Sequence, residues 1–248
     1  MTTAAVFGST GAVGSHILGA LIANETYVSI KTISRRLPRA QSSKLEAILE
    51  ADTSKWGDII SKWDPKPYVA FNGIGTTRAL AGGLENQRKI DHDLCIETAK
   101  ASKAAGASIY VFISAGLIRS FVGRNLPYSK MKIGVEDAIR DLDFEHAIVL
   151  RPGMIVGDRE RPKSIFLETT IGNIHKISQG LQDLIGVDQK ILGQAAVNAA
   201  RIAREGKAPS KYWVLEQADI IKYGRDEWKE EYKNESKDES IRQSGTEL

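Results

Sequence analysis

The chain has 248 residues, 42% of them hydrophobic and 26% charged, which is enough to bury a sizeable core and too apolar for a disordered chain. A formal net charge of +3 gives no reason to expect a nucleic-acid partner, and a single cysteine, Cys95, excludes a disulfide framework and a thiolate zinc site. The charge is uneven: Asp219–Leu248 holds 6 basic and 9 acidic side chains, so the body before it carries +6, a balance suited to an anionic ligand and compatible with a membrane surface.

No stretch approaches the roughly eighteen apolar residues of a membrane span. MTTAAVFGS begins a strand almost at once and leaves no room for a cleavable presequence. Without a signal peptide, the acceptor patterns Asn24-Glu25-Thr26 and Asn234-Glu235-Ser236 carry no weight. The expectation is a soluble intracellular protein.

Short β-branched runs at 4–8, 27–33, 68–74, 108–114, 145–150 and 211–216 alternate with helical patterns near 12–23, 84–105, 128–142, 188–205 and 217–235. This alternation predicts an α/β fold, a doubly wound parallel sheet of the Rossmann type. The expected organisation is one domain over 1–218, with a small substrate-binding lid at about 155–187, then a charged helix and tail over 219–248. Leu45, Ile48 and Leu49 have helical spacing, yet a doubly wound order needs a third strand before the helix at TSKWGDIISKW, so 44–51 is taken as a strand. From residue 225 onward basic and acidic side chains form adjacent rows, with Trp228 and Tyr232 side by side: a solvated helix docked by its two aromatics, with a membrane- or partner-binding helix as the alternative.

VFGSTGAVGSH places Gly8, Gly11 and Gly14 three apart, between the first strand and the first helix. A phosphate-binding turn needs glycine where the chain turns tightly, where backbone approaches a pyrophosphate and where helix packs on strand; the helix then offers free amides to the anion. A NAD site usually carries Asp or Glu at the end of the second strand. Here Ser34, Arg35 and Arg36 stand in that place, and guanidinium groups favour the 2′-phosphate of NADP. The alternative is a solvated basic loop.

Tyr-x-x-x-Lys occurs twice. Tyr27 and Lys31 lie in the second strand, where four residues span roughly 13 Å and the groups cannot cooperate. Tyr128 and Lys132 open a helix, one turn apart on one face. The preceding strand ends at Ser114, on the carboxyl edge of the sheet where ligands of open α/β sheets bind. A tyrosine with an ordinary pKa near 10 is a poor acid at neutral pH, and a neighbouring ammonium brings it toward the working range. A serine hydroxyl can hold a substrate carbonyl oxygen. His16, His92, His146 and His175 show no ligand spacing, so no metal is expected; Cys95 reads as packed in a helix, and Arg151-Pro152-Gly153 as shaping the loop after the sixth strand.

In this order the glycine loop, strand-end serine, Tyr-x-x-x-Lys and Arg-Pro-Gly resemble the short-chain dehydrogenase/reductases of the atypical or extended kind. TTRALAGGLENQRKIDHDLCIETAKASKAAG, PYSKMKIGVEDAI and FEHAIVLRPGMIVGDRE resemble the fungal mitochondrial outer-membrane members of that superfamily, relatives of the animal Tat-interacting oxidoreductase. The similarity runs from about residue 4 to 222. It implies Tyr128 as acid/base, Lys132 as its activator and ribose contact, and Ser114 as the group that orients substrate. It further implies Gly8, Ser9, Thr10, Gly11, Val13 and Gly14 as the pyrophosphate loop, Arg35 and Arg36 at the 2′-phosphate, Asp52 at adenine, and Asn72 and Gly73 lining the cofactor. Two departures stand out. Asp91 replaces the helical asparagine that completes the proton relay of many relatives, and ISAG replaces a pair of adjacent serines.

The expected function is NADPH-dependent reduction of a small carbonyl compound. The second is an NADPH-binding regulator or scaffold with a protein partner and little turnover. The resemblance places the protein peripherally on the cytosolic face of the mitochondrial outer membrane, and no feature of 155–187 names a substrate.

Overall fold

The computed structural model describes residues 1–157 and 186–228. β1 (Thr2–Phe7), β2 (Tyr27–Ser34), β4 (Val69–Asn72), β5 (Ile109–Ile113) and β6 (His146–Leu150) are buried runs rich in branched and aromatic residues. Strands covered on both faces read this way. With β3 (Leu45–Leu49) and β9 (Tyr212–Leu215) they form one seven-stranded parallel sheet in the order β3-β2-β1-β4-β5-β6-β9.

Alternate residues of each strand face opposite sides. Ala4 and Val6 of β1 enter one core with α1 (Gly14–Ala23) and α7 (Gln189–Arg204). Ala5 and Phe7 enter the other, with α2 (Trp56–Ser61), α5 (Leu94–Ala104) and α6 (Pro127–Asp141). Small residues let α7 approach α1: a Cβ on Gly193 would stand 2.9 Å from His16 Cβ. The expected third strand is present, pairing Ile30 with Leu45 through Ser34 with Leu49. Its helix-like spacing arises because Leu49 is exposed on this edge strand and belongs to neither core. Lys31 is tied across the sheet to Glu46, which removes it from any partnership with Tyr27.

Three helical expectations are refined. The pattern at 84–105 is α4 (Leu84–Arg88), a π-helical turn (Lys89–Asp93) and α5, preceded by the short α3 (Arg78–Ala81). The helix expected near 12–23 begins at Gly14, after the glycine loop. The segment after β9 is α8 (Gln217–Ile221) followed by a second π-helical turn at Lys222–Asp226. Ile220, Ile221 and Trp228 belong to the first core, so residues 219–228, expected to open a charged tail, pack against the body. Tyr232 and the tail from residue 229, and residues 158–185 of the expected lid with His175, lie outside the described residues. The two described ends of that segment, β7 (Met154–Val156) and β8 (Gly186–Asp188), pair in parallel.

Candidate active site

The carboxyl ends of β1, β2, β4, β5 and β6 share one edge of the sheet, as parallel pairing requires. After β1 the chain turns at Gly8 with φ +79°, the left-handed region that favours glycine. A Cβ there would lie 2.7 Å from the Gly73 carbonyl carbon, and one on Gly14 only 2.1 Å from the Gly8 oxygen. Gly11 N–H donates to that same oxygen at 2.9 Å. No side chain caps α1 and its first turn holds no acidic residue; Ser15 N and His16 N already donate to Gly11 O and Val13 O (both 3.0 Å), so an anion here would draw on the positive end of the helix and on amides of the preceding loop. This is a cradle that added Cβ atoms would fill, and it fits a dinucleotide pyrophosphate. Gly8, Thr10, Gly11, Val13, Gly14 and Gly73 are brought together here.

Ser9 has a different task. Thr32 Oγ1 donates to Val6 O at 2.8 Å, so the 2.6 Å contact between the two hydroxyls is Ser9 donating to Thr32. The loop is thereby fastened to β2, and the single Ser9 proton is committed inside the protein. Ile33 pairs with Phe7, so Arg35 and Arg36 emerge beside the glycine loop, both exposed. Ser34 Oγ donates to the Arg36 carbonyl and shapes that exit. Asp52 is exposed beyond β3, where it accepts from Ser54 N (3.0 Å) and Ser54 Oγ (2.7 Å) and caps a short turn.

Asn72 is fully engaged at the end of β4. Its amide donates to Thr98 Oγ1 (3.1 Å) and Tyr110 OH (2.9 Å), and its oxygen accepts from Ile74 N (2.9 Å). Its side chain therefore fixes the turn into the edge. Asp91, in the π-helical turn, is solvent-inaccessible and accepts from Thr76 N at 2.7 Å and Gln87 Nε2 at 3.1 Å, so it braces the loop after β4. Cys95 is buried beneath this loop, and burial pushes its thiol up to about 12, an inert group.

Pro127 starts α6, the first-turn position where its missing N–H costs nothing. Tyr128 follows, 39% exposed, while Lys132 one turn later is buried. Lys132 Nζ donates to Ile113 O at 3.1 Å and lies 4.6 Å above the Phe112 ring, pinned to the end of β5. Burial pushes its ammonium down, but Tyr128, Cys95, Asp91 and Glu136 push it up more strongly, and the net shift is upward. It stays charged, with donors beyond the one Ile113 uses.

One further turn along the same face stands Glu136, which is solvent-inaccessible. Arg151 grips it with Nε to Oε1 (3.0 Å) and Nη2 to Oε2 (2.7 Å), and Arg119 Nε reaches Oε2 at 3.0 Å. Burial pushes this carboxyl up, but Arg151, Ser114 and Arg119 outweigh it, and the net shift is downward. An ionised carboxylate only accepts, so the 2.6 Å contact with Ser114 is the serine donating to Glu136. Ser114 thus directly follows Ile113, whose carbonyl holds Lys132, and its proton is turned inward to Glu136. Arg151 also donates to Glu216 at 3.0 Å, so its guanidinium is an ion-pair clamp between α6 and the start of α8.

Glu136, Arg119 and Gln217 were missed from the sequence. The stride Tyr128, Lys132, Glu136 was a signal for the first. Nothing in the sequence marks Gln217, whose amide accepts from Gly153 N (2.9 Å) and donates to Gly186 O (2.7 Å), joining the strands on either side of residues 158–185.

No family model matches the chain. Among curated proteins it is 68% identical over 230 residues to "Protein fmp52-2, mitochondrial" of Neosartorya fischeri, covering 93% of this chain and 99% of that one. It is 48% identical over 236 residues to "Protein fmp-52, mitochondrial" of Neurospora crassa, covering 92% and 98%. Solved structures share the fold at low identity. MoeE5 in complex with UDP-glucose and NAD matches with a TM-score of 0.64 at 17% identity, over 87% of this chain and 75% of that one. The UDP-Glc/GlcNAc 4-epimerase from Campylobacter jejuni matches at 0.64 and 12%, over 90% and 82%. The chain belongs to the Fmp52 family of fungal proteins.

Proposed function

We propose that this Fmp52-family chain binds NADPH and reduces a small carbonyl compound. The observation that carries the reading is the exposed Tyr128 phenol on the same helical face as a buried, charged Lys132, at a sheet edge that also holds the glycine cradle. The uncapped start of α1 would hold the pyrophosphate, Arg35 and Arg36 the 2′-phosphate, and the remaining Lys132 donors the nicotinamide ribose. When bound, the dinucleotide would supply the hydride that reduces the carbonyl carbon. Tyr128 gives its phenolic proton to the carbonyl oxygen, and Lys132 stabilises the phenolate left behind. Solved neighbours are described with NAD, so the preference for the phosphorylated cofactor rests on the two arginines alone.

The test is NADPH consumption over a panel of aldehydes and ketones. Tyr128→Phe should lower turnover by about 10²–10⁴-fold, the usual worth of a positioned acid, and leave NADPH binding intact. Equal activity in the variant would remove Tyr128 from the chemistry.

A second reading is favoured by the Ser114 hydroxyl. Its proton is held by Glu136, so a substrate carbonyl must compete for it. An NADPH-binding regulator needs no such donor. Tight NADPH binding with no turnover on any carbonyl would select it. In either reading the names of the relatives support a mitochondrial location, and we place the chain peripherally on the cytosolic face of the outer membrane. Carbonate extraction of isolated mitochondria should release it.

A further inference from the structure

The loop joining β5 to α6 presents apolar side chains to solvent. Leu117 is 82% exposed, Phe121 83% and Val122 75%, with Leu126 beside them in sequence. Single exposed apolar residues are ordinary, but four large ones within ten residues form a patch that needs an explanation.

The loop is also built to hold that arrangement. Ile118 is buried and anchors it. Ser120 N donates to Leu117 O (3.1 Å), Arg124 N to Ser120 O (3.0 Å), Gly123 N to Ser120 Oγ (3.0 Å) and Leu126 N to Gly123 O (3.0 Å). Four of the loop's amides are therefore met locally, while those of Phe121 and Val122 are left for headgroups or water, which suits side chains that dip below an interface and a backbone that stays at it. Leu117 adopts φ 59°, a strained conformation for leucine, and does so with its side chain outside the core. Strain kept without burial in return points to a use at the surface.

Charge narrows the choice of partner. Of the six basic residues between Glu97 and Glu136, Lys100 and Lys103 lie on α5, Arg119 is paired with Glu136 and Asp137, and Lys132 is buried, which leaves Arg124 and Lys130 beside a loop that holds no acidic residue. Arg124 lies over the Phe121 ring at 5.4 Å, and the exposed Lys130 follows on α6. A second copy docking through the same face would set these cations against each other with no carboxylate on the loop to pair them. An anionic bilayer offers negative headgroups and an apolar interior at adjacent depths, matching an apolar tip with basic flanks. Among the described residues no helix is long and apolar enough to cross a membrane, so attachment through them would be at the surface.

We infer that the Leu117–Leu126 loop is a membrane-docking wedge, which seats Phe121 and Val122 among the acyl chains of an anionic phospholipid surface and sets Arg124 and Lys130 against its headgroups. Tyr128, directly after the loop, would then open at the interface, where a carbonyl compound partitioned into lipid is concentrated. The inference deepens the membrane-surface part of the reading above.

The experiment is co-sedimentation of the full chain with vesicles of phosphatidylcholine alone and of phosphatidylcholine containing cardiolipin. Wild type should pellet with the anionic vesicles and be released by salt. Phe121→Ser with Val122→Ser should partition about tenfold more weakly, and Arg124→Glu with Lys130→Glu should lose the preference for anionic lipid. Both double variants should bind NADPH as wild type does, which separates failure of the wedge from failure of the reductase reading. A wild type that stays in the supernatant, or a Phe121/Val122 variant that pellets equally, overturns the inference. So does a dimer in light scattering that this variant converts to monomer, because the patch then belongs to a second copy. An environment-sensitive dye on Val122→Cys supplies the last check, since buried Cys95 does not compete for the label. Emission that shifts to the blue only on anionic vesicles supports docking, and blue emission without vesicles at every dilution overturns it, showing the loop covered by the chain itself.

Discussion

Around Gly8, Gly11 and Gly14 the edge of the sheet is made of backbone; around Ser114, Lys132 and Glu136 it is made of buried charged side chains. In the first region a Cβ on Gly8 or Gly14 would fall 2.7 or 2.1 Å from the nearest main-chain atom, and one on Gly11 3.2 Å. Such atoms cannot step aside, and the site exists because side chains are missing. In the second region two guanidinium groups and a hydroxyl surround one inaccessible carboxylate. There the site exists because charges that would otherwise repel solvent-poor surroundings neutralise each other. The contrast teaches that the glycine end of the edge is held by steric exclusion and the Glu136 end by mutual dependence. Removing one member of the second set should spread to the rest.

The sharpest way to break this comparison is Glu136→Ala. It leaves Arg151 and Arg119 facing an empty buried position, and losing one partner of a buried ion pair costs about 3–5 kcal/mol. Because Arg119 is 38% exposed and can turn to water, the lower end of that range is expected in urea unfolding. Glu136→Gln should cost less and change the pH response. The Glu136 carboxyl is held below its ordinary value of 4.5 in the folded state. A depressed folded pKa contributes stability that is present above 4.5 and lost as pH falls through the lower folded value. Wild type should therefore lose stability more steeply than Glu136→Gln as pH falls below 4.5, and parallel acid limbs would mean that Glu136 is not ionised in the fold.

Gly14→Ala probes the other region. Forcing a methyl against the Gly8 carbonyl should cost about 1–3 kcal/mol as overpacking, and NADPH binding should fall with it because the cradle is displaced. Calorimetric titration on protein shown to be folded separates the two effects. Unchanged affinity would mean the cradle is not the pyrophosphate site.

The smallest expected change comes from Arg35→Ala with Arg36→Ala. Charge-assisted contacts to a 2′-phosphate are worth about 1.5–3 kcal/mol each when well formed, and desolvation returns part of it. A net loss of about 2 kcal/mol, roughly thirtyfold in NADPH affinity, should leave NADH affinity nearly unchanged and shrink at high salt. Equal affinities of wild type for the two cofactors would assign the arginines to solvent.

What could be read from the residues alone follows the same division. The parallel alternation of strands and helices, the glycine spacing and the place of Tyr128 and Lys132 on one helical face are local patterns, set by strand and helix periods and by steric limits at single positions. The strand at Leu45–Leu49 was reached only through the architecture, because its own spacing is helical and Leu49 is exposed. The direction of the Ser114 proton, the engagement of Asn72 with Tyr110 and Thr98, and the clamp of Arg119 and Arg151 on Glu136 could not be read this way. They join residues 15–38 positions apart, and an electrostatic or hydrogen-bonding partner is chosen by distance in space. The sequence by itself determined the fold class and where backbone must lie bare. Only the tertiary structure decided which charges meet, because Coulomb and hydrogen-bond energies depend on separations that no period along the chain encodes.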